Sequence, residues 1–265
     1  MIKIQTEEQY KETITTAKEQ GLKLSNNYFF PAEINRKISE GSLFFLSIDK
    51  GLLLLDDKGL FYRCYYYLSE SKPGLIELDK DAVIEFPFTG EIKERLMIQK
   101  KLIEDMGFQL GRESGMMSVS PDDVKRIDDK NRYFCEMAQK EDINQIITLL
   151  NSCFNPLYSF LPETKELEIA IQKETVFVIH EGKEVAAVLL SEIEKNNATI
   201  KQVAVNPQYR RKGLGRTILD AYHKQYRGTV KLFQHWVDLK NTPAVRMYQQ
   251  AGYTFTLRRA NEYIM

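Results

Sequence analysis

Four cations and two glycines lie close together where a β-branched strand gives way to a helix. The stretch reads IKQVAVNPQYRRKGLGRTILDAYHKQ, and the residues concerned are Arg210, Arg211, Lys212, Gly213, Gly215 and Arg216. Glycine lets a backbone approach a ligand at points where a Cβ would obstruct it. The free N–H groups and the dipole of a first helical turn attract anions. The pattern therefore predicts a cradle suited to a pyrophosphate.

The spacing of these residues bears on three other interpretations of the stretch. A dinucleotide-binding G-x-G-x-x-G loop is excluded, because its third glycine would fall at Ile218. A nucleotide P-loop is excluded, because no G-K-[ST] follows the glycines. A charged tight turn that merely precedes a helix stays open, since G-x-G alone is a weak signal.

Two motifs in this part of the chain resemble the GNAT acetyltransferase superfamily. R-R-K-G-L-G fits the R/Q-x-x-G-x-G/A signature of that family and follows a V-A-V-N-P strand, as the family requires. Further along, N-T-P-A-V-R-M-Y-Q-Q-A-G-Y is similar to the second motif of the family. The spacing of that motif is matched by Asn241, Ala244, Tyr248, Gly252 and Tyr253.

The resemblance implies an acetyl-CoA-dependent N-acetyltransferase that moves an acetyl group directly onto an amine of a small molecule, peptide or protein. It needs no metal, and the reaction passes through a tetrahedral intermediate. In the donor site that the resemblance implies, strand residues bind the pantetheine arm and loop amides bind the pyrophosphate. Asn241 lies beside the pantetheine. The implied donor-site residues are Val203, Ala204, Val205, Arg210, Arg211, Lys212, Gly213, Leu214, Gly215, Arg216, Asn241 and Tyr248. The strand valines could also be core residues, and Asn241 has a sufficient structural reason to exist as a helix N-cap.

Tyr248 is the residue to which the resemblance assigns general-acid chemistry, protonating the CoA thiolate as it leaves. Its structural alternative is an aromatic on the inner face of an amphipathic helix. For the general base, Glu192 and Glu194 lie on the preceding hairpin strand, although such carboxylates are more often solvated. His235 could face the acceptor or simply be packed, and Trp236 is expected in the core.

The pattern of apolar residues predicts an α/β (α+β) fold with a mixed, mostly antiparallel central sheet flanked by helices. From residue 132 onward the predicted order is β-α-α-β-β-β-α-β-α-β, in which hairpins alternate with crossovers. Two similar GNAT-like domains in tandem are expected: a degenerate one over residues 1–117, a linker over 118–131, and the catalytic one over 132–265.

The N-terminal half repeats the coarse order of the second half but lacks its chemistry. SLFFLSIDKGLLLL aligns with TVFVIHEGKEVAAVLL, and KLIEDMGF aligns with RMYQQAGY. Between Leu68 and Val83 there is no R-x-x-G-x-G and too little chain for a full helix, and Ile103 stands where Tyr248 stands. One CoA site per chain is therefore predicted. The aromatic run FYRCYYY is expected to pack within a sheet, with a cleft bordered by Tyr62, Tyr65 and Tyr67 as the alternative.

Composition narrows the classes of partner. The 265 residues include 37 Lys plus Arg and 37 Asp plus Glu, so no global charge favours nucleic acid or an anionic membrane. Three cysteines without metal-like spacing, and no signal peptide or membrane-length apolar run, are typical of a cytoplasmic protein. The acceptor, the acyl chain length and the oligomeric state are not encoded in any recognisable pattern. The alternatives are a non-catalytic CoA-binding or interaction module, or an acyltransferase with another acyl-CoA donor or a hydroxyl acceptor.

Overall fold

The computed structural model describes residues 1–91, 93–125 and 133–265. The chain divides into two compact units: unit 1 comprises Met1–Glu113 and Arg258–Met265, and unit 2 comprises Ser114–Leu257. The predicted domains ended at residues 117 and 265, so the structure differs in placing residues 114–117 in unit 2 and residues 258–265 in unit 1. Of the predicted linker, residues 118 and 119 lie in a strand, and residues 126–131 lie outside the described residues.

The protein has an α/β fold, as predicted. Its described helices are α1 (Glu7–Glu19), α2 (Pro31–Glu40), α3 (Glu94–Asp105), α4 (Ile143–Cys153), α5 (Thr164–Gln172), α6 (Leu214–Tyr226) and α7 (Thr242–Gln250). The first seven strands are β1 (Ile2–Lys3), β2 (Leu24–Ser25), β3 (Leu43–Ile48), β4 (Gly51–Asp57), β5 (Phe61–Leu68), β6 (Asp81–Thr89) and β7 (Gln109–Val119). The others are β8 (Glu136–Met137), β9 (Val176–Glu181), β10 (Glu184–Glu194), β11 (Asn197–Val205), β12 (Leu232–Asp238) and β13 (Thr254–Ile264).

In unit 1 the strands lie in the order β1-β3-β4-β5-β6, and residues 258–264 of β13 pair with β6. The β5–β6 pair is parallel and the other neighbours are antiparallel. Helix α1 is capped by the Thr6 side chain, which accepts from the Gln9 amide. The short strands β1 and β2 were not predicted, since two residues carry too little pattern.

The aromatic run of β5 is core, as predicted: every residue of Phe61–Leu68 is buried. Tyr62, Cys64 and Tyr66 pack with Ile103 in one cluster on one face of the sheet. On the other face, Tyr65 and Tyr67 join a second cluster. Strand alternation thus fills both faces of this part of unit 1.

In unit 2 the strand order is β12-β11-β10-β9-β8, with residues 114–119 of β7 paired to the other side of β12. Among the described strand pairs of unit 2, the β11–β12 pair is parallel and the others are antiparallel. The element order from β8 onward is the predicted one, and the sheet is mixed and mostly antiparallel. The pairing of β7 with β12 was not predicted, because no local signal in the sequence tells a strand which distant neighbour it will join.

The helices α3 and α7 end in the same way, as a duplicated fold would predict. Gly107 and Gly252 follow them with φ of 104° and 100°, a conformation that favours glycine. A Cβ on Gly252 would lie 2.5 Å from the carbonyl oxygen of Asp123, so the turn after α7 is also sterically restricted to glycine. Four residues before these glycines stand the buried side chains of Ile103 and Tyr248.

No helix among the described residues combines the length and the apolar character that crossing a membrane requires. All three cysteines are free; Cys64 is buried and the other two are partly buried.

A histidine on β9 forms hydrogen bonds with two carboxylates at the edge of unit 2, one on β8 and one just before α4. His180 on β9 lies 2.9 Å from Glu136 Oε1 through Nδ1 and 2.8 Å from Asp142 Oδ1 through Nε2. Partial burial lowers the pKa of His180, but the hydrogen bonds to Asp142 and Glu136 outweigh it, so that the pKa is raised above its usual value. Because both carboxylates prefer the imidazolium, this contact is strongest when His180 is protonated.

This geometry predicts a pH-dependent contribution to stability. Because the pKa of His180 is higher in the folded state, its full contribution to stability is present below the unfolded-state pKa of about 6.5. The contribution is lost as the pH rises through the folded-state pKa. We expect His180→Gln to lower the free energy of unfolding by roughly 1 kcal/mol at pH 6 and by less at pH 9. Urea unfolding at both pH values measures this difference, and an equal effect at the two pH values would contradict it.

Candidate functional site

The parallel strands β11 and β12 separate part of the way along unit 2. Their register runs from the Asn197–Leu232 pair to the Ile200–His235 pair and ends there, although β11 continues to Val205. The separation coincides with a β-bulge, because Leu190 opposes Gln202 whereas Ser191 opposes Ile200, which leaves Lys201 as the extra residue. A bulge bends its strand and commonly ends pairing. An opening between two strands results.

The backbone of β11 presents its hydrogen-bonding groups to this opening. Asn206 N–H donates to Ala186 O on the β10 side at 2.9 Å. Since alternate residues of a strand point their N–H and C=O groups to opposite sides, those of Val203 and Val205 face the β12 side. Both valines are half-buried and pack against the cluster that contains Tyr248, whereas Ala204 is buried on the other face. Val203 and Val205 therefore combine a packing role with backbone groups that are not paired to β12, although Val205 O accepts from Arg210 Nε at 3.1 Å and from Cys153 Sγ at 3.9 Å.

The strand leads into a short loop and an uncapped helix. A 3-10 turn, Pro207–Tyr209, is followed by Arg211 with φ 63° and by Gly213 with φ 93° at the N-cap of α6. No side chain caps this N-terminus. Thr217 N–H and Arg216 N–H both bond to Gly213 O, while the structure gives the amides of Leu214 and Gly215 no partner among the described residues. These amides and the helix dipole form the anion cradle that the sequence predicts.

Gly215 lies close to side chains of α7 and β11. A Cβ at this position would lie 3.1 Å from Met247 Sδ and 3.8 Å from Val205 Cγ2. The helix backbone thus lies against α7 and the end of β11, and a larger residue would push it away from both. This close approach is the physical reason for a small residue in the second glycine position.

The four cations of the loop do not behave alike. Arg211 and Lys212 are exposed, with Lys212 Nζ 5.0 Å from the centre of the Tyr209 ring. Arg216 Nη2 donates to Gln250 Oε1 at the end of α7. Arg210 Nε donates to Val205 O at 3.1 Å. Arg211 and Lys212 are therefore the cations most accessible to an anion, whereas Arg210 and Arg216 also hold the loop to its neighbours.

Glu184 fixes the base of the loop, a role that the sequence did not reveal. Its carboxylate accepts from Asn206 Nδ2 and from Tyr209 Oη, each at 2.9 Å. It lies at the start of β10, where a polar residue next to a hairpin turn has no distinguishing pattern. No local signal could have identified it, because both of its partners are more than twenty residues away in the sequence.

Tyr248 lies on the buried side of α7. Its ring stacks on His235 with centroids 3.5 Å apart and an interplanar angle of 33°, and it meets Tyr253 edge-on at 5.5 Å. Burial raises the pKa of the Tyr248 phenol far above its usual value. The phenol is therefore protonated at any physiological pH, which is the state that a proton donor needs.

Asn241 caps α7, since its side chain accepts from the Ala244 amide at 3.3 Å. Its structural explanation is thus sufficient by itself. Trp236 was expected in the core, but it is 38% exposed and that expectation is wrong. It lies on the face of β12 opposite to His235.

The two candidate bases lie at the surface. Glu192 is exposed and forms an ion pair with Lys201, the bulged residue, at 3.1 Å. Glu194 is exposed at the end of β10, opposite Asn197. The structure therefore brings Glu192 to the bulge where β11 leaves β12, and places Glu194 farther along the hairpin. Among the described residues, no cluster of His, Cys, Asp and Glu has the arrangement of a metal site.

In unit 1 the corresponding strands separate too, but the chain itself occupies the space. The parallel register of β5 and β6 ends at the Arg63–Val83 pair. Beyond it, β2 pairs with Tyr67 and Leu68. The Asn26 amide then bridges both strands, with Oδ1 accepting from Tyr66 N–H and Nδ2 donating to Glu85 O, each at 2.8 Å. No such segment pairs with the end of β11 in the described part of unit 2.

Residues 143–253 match the family described as the Acetyltransferase (GNAT) family. Ribosomal protein bS18-alanine N-acetyltransferase of Escherichia coli (strain K12) is 29% identical over 91 residues, which are 33% of this chain and 60% of that protein. The match thus spans about 60% of the length of this curated relative. The N-alpha-acetyltransferase of Sulfurisphaera tokodaii is 27% identical over 138 residues, which are 46% of this chain and 80% of that protein.

A solved structure supports the fold over most of the chain. The GCN5-related N-acetyltransferase from Sphaerobacter thermophilus superposes with a TM-score of 0.58 at 12% identity, covering 87% of this chain and 84% of that one. At this identity the likeness concerns the fold alone. The family match places the GNAT resemblance on residues 143–253, the segment that contains the separated strands, the loop and Tyr248.

Proposed function

We propose that unit 2 binds acetyl-CoA and transfers its acetyl group directly to an amine. The observation that carries this proposal is the separation of β11 from β12 beyond Ile200 and His235, which leads to the uncapped N-terminus of α6. An elongated ligand with amide groups along its length and a pyrophosphate at one end suits this path. Its amides match the strand backbone, and its anionic end matches the free helix amides.

The donor side of the proposed site divides into two parts. Val203 and Val205 offer backbone groups to the pantetheine arm, with Ala204 between them facing the other side of the sheet. The amides from Lys212 to Gly215, with the exposed side chains of Arg211 and Lys212, receive the pyrophosphate. Arg210 would release Val205 O when the arm binds there, since its guanidinium now occupies that carbonyl.

The proposed chemistry is attack by the amine on the thioester carbonyl. A tetrahedral intermediate forms, the C–S bond then breaks, and Tyr248 gives its proton to the departing sulfur. The phenol suits this role because burial keeps it protonated until a thiolate develops beside it. The attacking amine loses its proton to Glu192, Glu194 or an ordered water. Both carboxylates are exposed, so a bound acceptor must cover whichever of them serves as base.

The names of the relatives favour one class of acceptor for the first tests. Two of them are named for the acetylation of an α-amine or of a ribosomal protein alanine. A peptide or protein N-terminal amine is therefore the first acceptor to examine, followed by small-molecule amines. A non-catalytic CoA-binding module would not need the buried tyrosine, and unit 1 illustrates its replacement by Ile103. A cytoplasmic location remains part of the proposal.

One acetyl-CoA should bind per chain, in unit 2. We expect isothermal titration calorimetry to give a stoichiometry of one, because Asn26 fills the equivalent space in unit 1. The double variant Arg211→Ala/Lys212→Ala should raise the Kd about tenfold, as expected for the loss of roughly 1.4 kcal/mol of phosphate contact. The effect should shrink as salt is added.

The matched control removes two exposed cations from the opposite end of the same helix. Lys224→Ala/Arg227→Ala should leave the Kd for acetyl-CoA unchanged. Two bound molecules per chain, or equal weakening by both double variants, would contradict the proposed donor site.

Tyr248→Phe should lower kcat by roughly 100-fold or more, the usual effect of removing a general acid. The Kd for acetyl-CoA should remain nearly unchanged, because the phenyl ring keeps the stack on His235. Release of free thiol from acetyl-CoA, measured with peptide and small-molecule amines, gives kcat, and calorimetry gives the Kd. An unchanged kcat would remove Tyr248 from the mechanism.

A further inference from the structure

His235 is a buried polar side chain whose ring nitrogens, Nδ1 and Nε2, lack hydrogen-bond partners among the described residues. The residue is 1% exposed. Buried donors and acceptors in native proteins nearly always have partners, and leaving one unpaired costs free energy. A ring that only filled space here could be phenylalanine. The choice of histidine therefore calls for a partner that comes from outside the protein.

The position of His235 indicates what that partner is. It occupies the last register position before β11 and β12 separate, opposite Ile200. Its ring packs against the Tyr248 ring at a centroid distance of 3.5 Å, with the two planes tilted by 33°. The histidine thus lies at the closed end of the opening, beside the phenol that the proposed function assigns to the departing sulfur.

A second histidine in the same core provides a contrast. His223 on α6 is buried as well, but its Nε2 lies 2.8 Å from Tyr253 Oη. That bond gives His223 a structural role in orienting Tyr253, and only its Nδ1 is without a partner among the described residues. No comparable partner explains His235, although Tyr253 also lies near it, with ring centroids 5.0 Å apart.

The surroundings of His235 keep it neutral. Burial, and to a smaller extent the neighbouring His223, lower the pKa of His235 to about 3. The Tyr248 and Tyr253 rings pack against it, and Ile200 and Met117 lie opposite it on the neighbouring strands. Among the described residues, His223 on α6 is the one ionisable group that acts on its pKa. A neutral imidazole keeps one N–H donor, and it can polarise a reacting group without giving up that proton.

We propose that His235 donates a hydrogen bond to the sulfur of the bound acyl-CoA, beside Tyr248. This inference rests on the proposed function. As the C–S bond breaks, its electron pair moves to sulfur, the Tyr248 phenol transfers its proton there, and His235 keeps its own proton while stabilising the developing thiolate. The amine proton leaves to base and solvent, from which the Tyr248 phenolate is protonated again. The acetyl group ends on nitrogen, and the thiol carries one new proton.

The variant His235→Phe separates this role from packing. Phenylalanine retains the ring stack and removes the unpaired nitrogens, so a packing role predicts equal or greater stability with unchanged kinetics. The proposal predicts equal or greater stability in urea unfolding, together with a kcat lowered roughly 10-fold to 100-fold. His235→Gln keeps an N–H donor and should recover part of kcat.

Tyr222→Phe is the matched control. Tyr222 is buried in the same cluster, and its hydroxyl likewise has no partner among the described residues, but its ring contacts Phe177 and Phe233. The Tyr222→Phe variant should be at least as stable as wild type, like His235→Phe, and should keep the wild-type kcat. A similar loss of kcat in both variants would overturn the assignment to His235.

A binding measurement tests the same contact without turnover. The probes are CoA and desulfo-CoA, which lacks the thiol, each titrated into wild type and His235→Phe by calorimetry. Wild type should prefer CoA by about fivefold, as expected for one hydrogen bond, and His235→Phe should lose most of that preference. A preference that His235→Phe retains overturns this inference alone. Failure of wild type to bind either molecule overturns the proposed function, and the inference with it.

Discussion

Backbone N–H and C=O groups that leave a sheet must find other partners, and this constraint governs both units of the protein. In each unit one parallel strand pair begins in register and then opens, after Arg63–Val83 in unit 1 and after Ile200–His235 in unit 2. Beyond these points the facing backbone groups are not bonded to the neighbouring strand. What fills the opening decides whether a unit is closed or can receive a ligand.

Unit 1 fills its opening with its own chain. The carboxamide of Asn26 accepts from Tyr66 N–H and donates to Glu85 O, as an amide of a bound ligand would do. The segment between β5 and β6 also lacks a helix, so the free amides of a helix N-terminus are missing from its described residues. The two differences support each other: without an anion cradle nothing would hold a CoA-like ligand, and an internal plug then satisfies the strands at no cost in function.

The sequence predicted the elements well because their signals are local. The glycines after α3 and α7 and the hairpins after residue 132 each depend on a few neighbouring residues, and the structure contains them. The pairings of β7 and β13, the Asn26 bridge and the Glu184 anchor depend on residues distant in the sequence, and no local pattern encodes them. The exposure of Trp236 was mispredicted for the same reason, since the covering of a strand face depends on which elements pack there.

The two sides of the proposed reaction are prepared to different degrees. On the donor side, burial keeps the Tyr248 phenol protonated and the His235 imidazole neutral, so both are ready to donate before any ligand binds. On the acceptor side, Glu192 and Glu194 are solvated, and Glu192 is paired with Lys201. A carboxylate in water is a weak base for an ammonium group, and it strengthens when water is excluded. The acceptor itself must therefore complete its half of the site by excluding water from the carboxylate that serves as base.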